Sequence, residues 1–401
     1  MASPLEGIRV LDMTVFQQAP YATAMLAEMG ADVIKVEGPT SADLGRWTSA
    51  VQIQHPRNAY FHSLNRNKRG ICIDLKNEKG REVFYKLVEQ SDVFVSNLRR
   101  PALKRLGADY ATLSALNPRL IYARASAYGP KGPDADLAGM DILGQARGGL
   151  MSVTGPPGAG PTPAGVAQAD HVGALLLAFG LMVALFHRER TGEGQEIDSS
   201  LLGGQLCIQT HNFTDFLWGG TGLPQRPRVG FNPTWSVYKG SDGKWFALGM
   251  NREFYFDPFA KCLGHPEWID DPRFLTLKDR IANRDDLFAI LDEVFAEKTA
   301  DEWVKQLSEA DLLASRVNDY ADLAKDVQVL ANDYIIDFDP GNGEAPVKMI
   351  PLPIMFSKTP GKIKSLAPEF GEHTEEVLLE AGLDWEEIAE LREIGAIGAP
   401  A

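Results

Sequence analysis

Asp170 and His171 stand where chemistry could be done. They lie in Gly165-Val-Ala-Gln-Ala-Asp170-His171-Val-Gly173, and the apolar run Ala-Leu-Leu-Leu-Ala-Phe-Gly-Leu-Met-Val-Ala-Leu-Phe186 follows without a break. A carboxylate at the mouth of such a run can serve as a nucleophile or a base. It is equally an N-cap, because its oxygen accepts the free N–H groups of a first helical turn. The run alone does not separate these readings. His171, His187 and His211 invite a histidine-base reading, but His187 ends the run, where a cation complements the helix dipole. His373 reads as a cap near the C-terminal helices. Cys72, Cys207 and Cys262 are far apart, with no CxxC pair and no neighbouring histidines. They predict neither structural zinc nor a disulfide framework, and so a reducing, cytoplasmic setting.

The elements that must position these residues follow from the hydrophobic pattern. Residues 8–13 and 31–37 read as strands flanking a helix over 20–29, a βαβ unit with Pro20 early in its helix and Gly30 at its end. The turn Thr14-Val-Phe-Gln-Gln-Ala-Pro20 lacks the glycine fingerprint of a dinucleotide site, so NAD is not expected even though Glu37 closes the second strand. Strands over 71–75, 92–96 and 119–124 alternate with helices over 78–89 and 101–107. That alternation predicts an α/β fold with a Rossmann-like parallel sheet. The Gly/Pro-rich stretch 148–165 reads as a long loop. Val172 to Phe186 is too short to span a bilayer and reads as a buried helix.

The predicted organisation is a large domain begun by residues 1–200, a linker over 201–225, a small α+β domain over 226–328, and a return over 329–401 that completes the large domain. The hairpin over 235–248 turns at Ser-Asp-Gly. The N-terminus shows neither a basic nor an apolar region of a secretory signal. A net charge of −14 disfavours nucleic acid and anionic membranes as partners, and leaves any anionic ligand to local cations and helix N-termini.

Across almost its whole length the chain resembles the class III CoA-transferases, the family of formyl-CoA:oxalate and carnitine CoA-transferases that also contains the α-methylacyl-CoA racemases. The resemblance rests on the order and spacing of Leu5-Glu-Gly-Ile-Arg-Val-Leu-Asp-Met13, Gly30-Ala-Asp-Val-Ile-Lys-Val-Glu37, Asn67-Lys-Arg-Gly-Ile-Cys-Ile-Asp-Leu-Lys76, Ala169-Asp170, Arg190-Thr-Gly-Glu-Gly-Gln-Glu-Ile-Asp198 and Gly371-Glu-His-Thr-Glu375. It implies that Asp170 attacks an acyl-CoA thioester and passes through mixed anhydrides and an aspartyl-CoA thioester. A helix N-terminus would then keep Asp170 anionic and supply N–H donors. Gln17 matches a glutamine that hydrogen-bonds the acyl group. Asp141 matches a position usually held by Glu near the nucleophile, and ordinary capping of its own turn is the competing reading.

For coenzyme A, the matching positions are Ile73, Lys76, Asn97, Leu98 and Arg105, with Lys76 and Arg105 able to answer phosphate charge. An arginine of the family is replaced by Gly38, so part of the nucleotide contact must differ. Neither metal nor NAD is implied. The racemases carry a histidine before the aspartate that matches Asp141. Here the turn is Gly139-Met140-Asp141, and methionine cannot exchange a proton. No Gly-Gly-Gly-Gly flap occurs between Gly219 and Met250, which disfavours oxalate. The expectation is a succinyl-CoA-like donor and an organic acid acceptor. Trp and Phe residues at 213, 216, 218, 231 and 235 suggest an aromatic acceptor, with core packing as the alternative. Members of the family form interlocked dimers, so a homodimer is expected, with a subunit of a hetero-oligomer as the other possibility.

Overall fold

Strand β1 (Arg9–Met13) sends Val10 to one face of a sheet and Leu11 to the other, and both are fully buried. A strand covered on both faces belongs to a parallel sheet between helices. The computed structural model describes residues 3–47, 58–225, 232–341, 343 and 345–398. Phe231 and the expected start of the small domain at 226 lie outside the described residues. Contacts divide the chain into two units, one of residues 1–151, 163–222 and 328–401, the other of 152–162 and 223–327.

In the first unit, β1 is followed by α1 (Gln18–Glu28), β2 (Asp32–Glu37), α2 (Ala59–Asn65), β3 (Arg69–Cys72), α3 (Glu78–Glu89), β4 (Val93–Ser96), α4 (Arg100–Leu106), α5 (Tyr110–Leu116) and β5 (Ile121–Ser126). Next come α6 (Asp141–Arg147), α7 (Leu150–Val153), α8 (Gln168–Thr191), β6 (Glu196–Ser200), α9 (Leu201–Ile208) and α10 (Thr210–Leu217). The six strands are parallel in the order β3-β2-β1-β4-β5-β6. The order reverses between β1 and β4, and open α/β sheets bind ligands beyond the strand ends at such a point.

One face of the sheet packs Leu11, Phe94 and Tyr122 against Phe84 and Leu87 of α3 and against Val377 and Ile388 of the C-terminal helices Thr374–Glu380 and Trp385–Glu393. The other packs Val10, Val95 and Ala123 against Met25 of α1 and Leu177 and Leu181 of α8. His373 precedes the first C-terminal helix without capping it through its side chain. Its Nδ1 instead accepts from Gly70 N at 3.2 Å.

Within the stretch expected as linker lie α9, which starts where Ser200 accepts from Gly203 N, and α10. Helix α8 is 24 residues, longer than the apolar run, and ends at Gly192, whose φ of 79° suits glycine. It is long and apolar enough to cross a bilayer by length and composition. Even so, Ala174, Leu177, Leu181 and Leu185 are buried in the core, and Arg188 ion-pairs with Asp92 at 2.8 Å. Its other face is not buried: Phe179 is 69% and Phe186 65% exposed.

The second unit carries an antiparallel sheet of strands Val237–Lys239, Trp245–Leu248 and Ala314–Arg316. Its core gathers Tyr238, Phe246, Phe259, Phe295 and Trp303.

Candidate active site

Beyond the C-terminal ends of β1, β4 and β5 lies a cavity of about 430 Å³ whose wall includes Gln17, Asn97, Arg99, Arg124, Met140 and Asp170. Asp170 is the third residue of α8, not its cap; Ala167 holds the cap position and has no side-chain acceptor. The capping comes from another helix. Asp141 Oδ1 accepts from Ala169 N at 2.7 Å and from Asp170 N at 3.1 Å, while Gln145 Nε2 donates to Asp141 Oδ2 at 2.6 Å. Gln145 Oε1 also accepts from Ala164 N at 2.8 Å, which ties the end of the Gly/Pro-rich loop to the same carboxylate. Asp141 thus caps α8 rather than its own turn, where Met140 occupies the cap position.

This geometry reverses one electrostatic expectation. Burial, and then the charge of Asp141, push the Asp170 carboxyl up to about 7. Two of the amides expected to stabilise its anion are already bonded to Asp141. The ring of His171 lies edge-on to Tyr21, with centroids 4.8 Å apart, and burial lowers its pKa below the usual histidine range. Histidine in that state is a neutral packing partner. His187 and His211 are exposed.

Gln17 stands at the start of α1, makes no capping bond among the described residues, and lines the cavity. The turn that carries it is held from three sides. Asn97 accepts from Val15 N at 2.9 Å and donates to Val15 O at 2.7 Å. Lys35 Nζ donates to Thr14 O at 2.9 Å. Asp43 Oδ1 accepts from Phe16 N at 2.9 Å, and Phe16 has a φ of 63°, a conformation that costs energy for a bulky residue. Lys35 pairs with Asp43 at 2.9 Å, and Lys68 with Asp12 at 2.7 Å, all four side chains fully buried. Burial would depress Lys35, but Asp12, Asp43 and Glu37 hold its pKa above the usual lysine range.

A second cleft of about 440 Å³ gathers Ile73, Lys76, Leu98 and Arg105, four of the expected CoA contacts. Asn97, the fifth, lines the Asp170 cavity, and its amide is committed to Val15. Val15, Leu98 and Ala102 border both spaces. At Gly38, any Cβ would meet Ser41 Oγ at 2.4 Å, so the hydroxyl of Ser41 fills the place a larger side chain would leave from. Glu37 is bound by Arg46 at 2.5 Å and by Asp43 N at 2.9 Å, leaving neither of its oxygens to a ribose by default.

A sequence model of CoA-transferase family III matches residues 5–374. The chain belongs to that family. This family III chain is 33% identical to a succinate–glutarate CoA-transferase of Agrobacterium fabrum, over 94% of this chain and 95% of the relative. It is 32% identical to a succinyl-CoA–D-citramalate CoA-transferase of Chloroflexus aurantiacus, over 97% of each. A crystal structure of a CaiB/BaiF family protein from Brucella suis superimposes with a TM-score of 0.84 at 32% identity, covering 95% of this chain and all of the other.

Of the aromatic residues singled out in sequence, Phe231 lies outside the described residues. Phe213, Phe216 and Trp218 are exposed on and just after α10, with the two Phe rings stacked at 6.2 Å, and Trp235 borders a groove beside the sheet of the second unit. Among the described residues, Phe16 is the aromatic side chain lining the Asp170 cavity. Sequence reasoning passed over Arg124, Gln145 and the Lys35–Asp43 pair. The signal for two of them was a cation inside an otherwise apolar strand: Lys35 in Val-Ile-Lys-Val and Arg124 in Ile-Tyr-Ala-Arg-Ala.

Proposed function

We propose that this chain transfers CoA from an acyl-CoA to a carboxylic acid by covalent catalysis on Asp170. One observation carries the reading: a half-buried carboxylate opens into a crevice at the sheet's switch point, and that crevice continues past Val15, Leu98 and Ala102 into the cleft bearing Lys76 and Arg105. A CoA ester laid along both would meet cations at its phosphates and Asp170 at its thioester.

In the first step, an Asp170 oxygen attacks the thioester carbonyl. The C–S bond breaks, the thiolate of CoA leaves with the electron pair, and an acyl–aspartyl anhydride remains. The thiolate then attacks the Asp170 carbonyl, expelling the donor acid as carboxylate and leaving aspartyl-CoA. The acceptor carboxylate attacks this thioester, releases the thiolate and forms the second anhydride. Attack of the thiolate on the acceptor carbonyl gives the new acyl-CoA and restores Asp170. Each step exchanges a carboxylate and a thiolate between acyl centres of similar energy, so no proton transfer is required. Gln17 supplies the amide donor for oxyanions, because the Ala169 and Asp170 amides are already bonded to Asp141. Asp141 orients the nucleophile by holding the first turn of α8.

Racemisation would need a second proton carrier near Asp170, and where the racemases carry a histidine this chain has Met140, which lines the same cavity and cannot exchange a proton. The donor is a succinyl-CoA-like ester, as the names of the two relatives suggest for their own reactions. The acceptor is an organic acid, and among the described residues Phe16 is the ring that the Asp170 cavity offers to an aromatic one. The apolar face of α8 is covered by a second copy in a homodimer. The free Cys72, Cys207 and Cys262 accord with a reducing cytoplasm.

Hydroxylamine added during turnover should trap Asp170 as its hydroxamate, located by peptide mass spectrometry, and Asp170→Ala should abolish transfer without changing the melting temperature by more than a few degrees. Turnover that survives in Asp170→Ala would end this mechanism.

A further inference from the structure

We infer that Arg124 recognises a second carboxylate on the acyl group, making the site selective for dicarboxylic over monocarboxylic acids. This rests on the transferase reading of Asp170.

Arg124 lies on β5 between two small residues, Ala123 and Ala125, and is only 3% exposed, yet it lines the same cavity as Asp170. Its guanidinium is poorly satisfied by the protein. Nη1 is 3.4 Å from Asp198 Oδ2, a long contact, and among the described residues Nε has no hydrogen-bond partner. The other oxygen of Asp198 accepts from the Ser126 hydroxyl at 2.6 Å. A buried guanidinium normally uses its planar fork of N–H donors on a carboxylate, often with two bonds at once. A buried donor left unbonded is destabilising, and a carboxylate meeting the guanidinium in the cavity would supply a partner.

The charge around it favours an anion as well. Arg99 lines the cavity beside Arg124. Arg100, which donates to Pro130 O at 2.8 Å, acts on Asp198 together with Arg124. Burial pushes the Asp198 carboxyl up despite Ser126 and both arginines. A phosphate of CoA is the wrong source for the missing anion. The thioester must reach Asp170, which leaves the phosphates at the far end of the pantetheine arm, toward Lys76 and Arg105. What remains beside Asp170 is the acyl group, and Leu137, Ala138 and Met140 offer its methylenes an apolar wall.

The test compares matched esters, succinyl-CoA with butyryl-CoA as donors and glutarate with pentanoate as acceptors, in the wild-type enzyme and in Arg124→Met and Arg124→Lys. Wild type should prefer the dicarboxylic member of each pair by roughly a hundredfold in kcat/KM. Arg124→Met should collapse that ratio toward one, chiefly through KM, and Arg124→Lys should recover part of it. Equal use of the two members by wild type, or an equal loss for both in Arg124→Met, overturns the assignment. If Arg124→Met does not fold, competitive inhibition of wild type decides: succinate must inhibit far more strongly than butyrate. Hydroxylamine labelling of wild-type Asp170 runs beside every assay. Absence of label with every ester refutes the transferase reading itself, whereas label without selectivity refutes only the role of Arg124.

Discussion

Asp170 gains its character from what surrounds it. A free aspartate ionises far below neutrality, but burial, reinforced by Asp141, brings this one to about 7. In the proposed mechanism the attacking form is the anion, so kcat should fall on the acid side with an apparent pKa near 7, the loss growing tenfold per unit below it. Asp141→Asn keeps an oxygen for the Ala169 and Asp170 amides but removes the nearby negative charge. Ionisation of Asp170 becomes easier, and the acid limb should move to lower pH with most of the activity retained above pH 8. A pH–rate profile measured with a non-ionising donor checks this, and a limb that stays put would show that burial alone sets it. Asp170 stood out in the sequence as a candidate from its place before the apolar run, and the resemblance to the family implied its role as nucleophile. Its neighbour's role was not legible, because Asp141 caps a helix that begins 27 residues further along the chain, and local spacing says nothing of which turn a carboxylate will reach.

At the level of elements, the turn between β1 and α1 depends on a buried ion network below it. Lys35 satisfies both Asp43 and the Thr14 carbonyl, and Asp43 in turn holds Phe16 in its left-handed conformation. Removing one partner of a buried pair strands the other charge. Lys35→Met should therefore lower stability by about 3–5 kcal/mol in urea unfolding. It should also reduce kcat, since Gln17 is carried by the same turn. A loss below about 1 kcal/mol would mean that the network is dispensable. The βαβ unit around this turn was readable from apolar strands bounded by Pro20 and Gly30. The ion network was hinted at only by Lys35 and Asp12 standing inside apolar strands. Which carboxylate meets which lysine depends on strand order, and that is not a local property.

At the scale of the whole molecule, the exposed apolar face of α8 is the largest departure from expectation. Leu175, Phe179, Met182, Val183 and Phe186 lie open on a helix whose opposite side is core, and Phe213, Phe216, Leu217 and Trp218 add to the exposed apolar surface of the same unit. A surface of this kind calls for a partner. With the proposed homodimer, Phe179→Glu combined with Phe186→Glu should shift the mass from dimer to monomer in analytical ultracentrifugation, and an unaltered mass would reject α8 as the interface. The sequence by itself determined the alternation of strands and helices and the family signposts, and it put Asp170 forward as a candidate, because hydrophobic period and short motifs are properties of neighbouring residues. Only the tertiary structure decided that Asp141 caps α8, that Arg124 lines the Asp170 cavity with a donor unbonded among the described residues, and that one face of an apolar helix is left bare. Those outcomes depend on which strands lie side by side and which helix ends meet, and residues far apart in the chain settle them together.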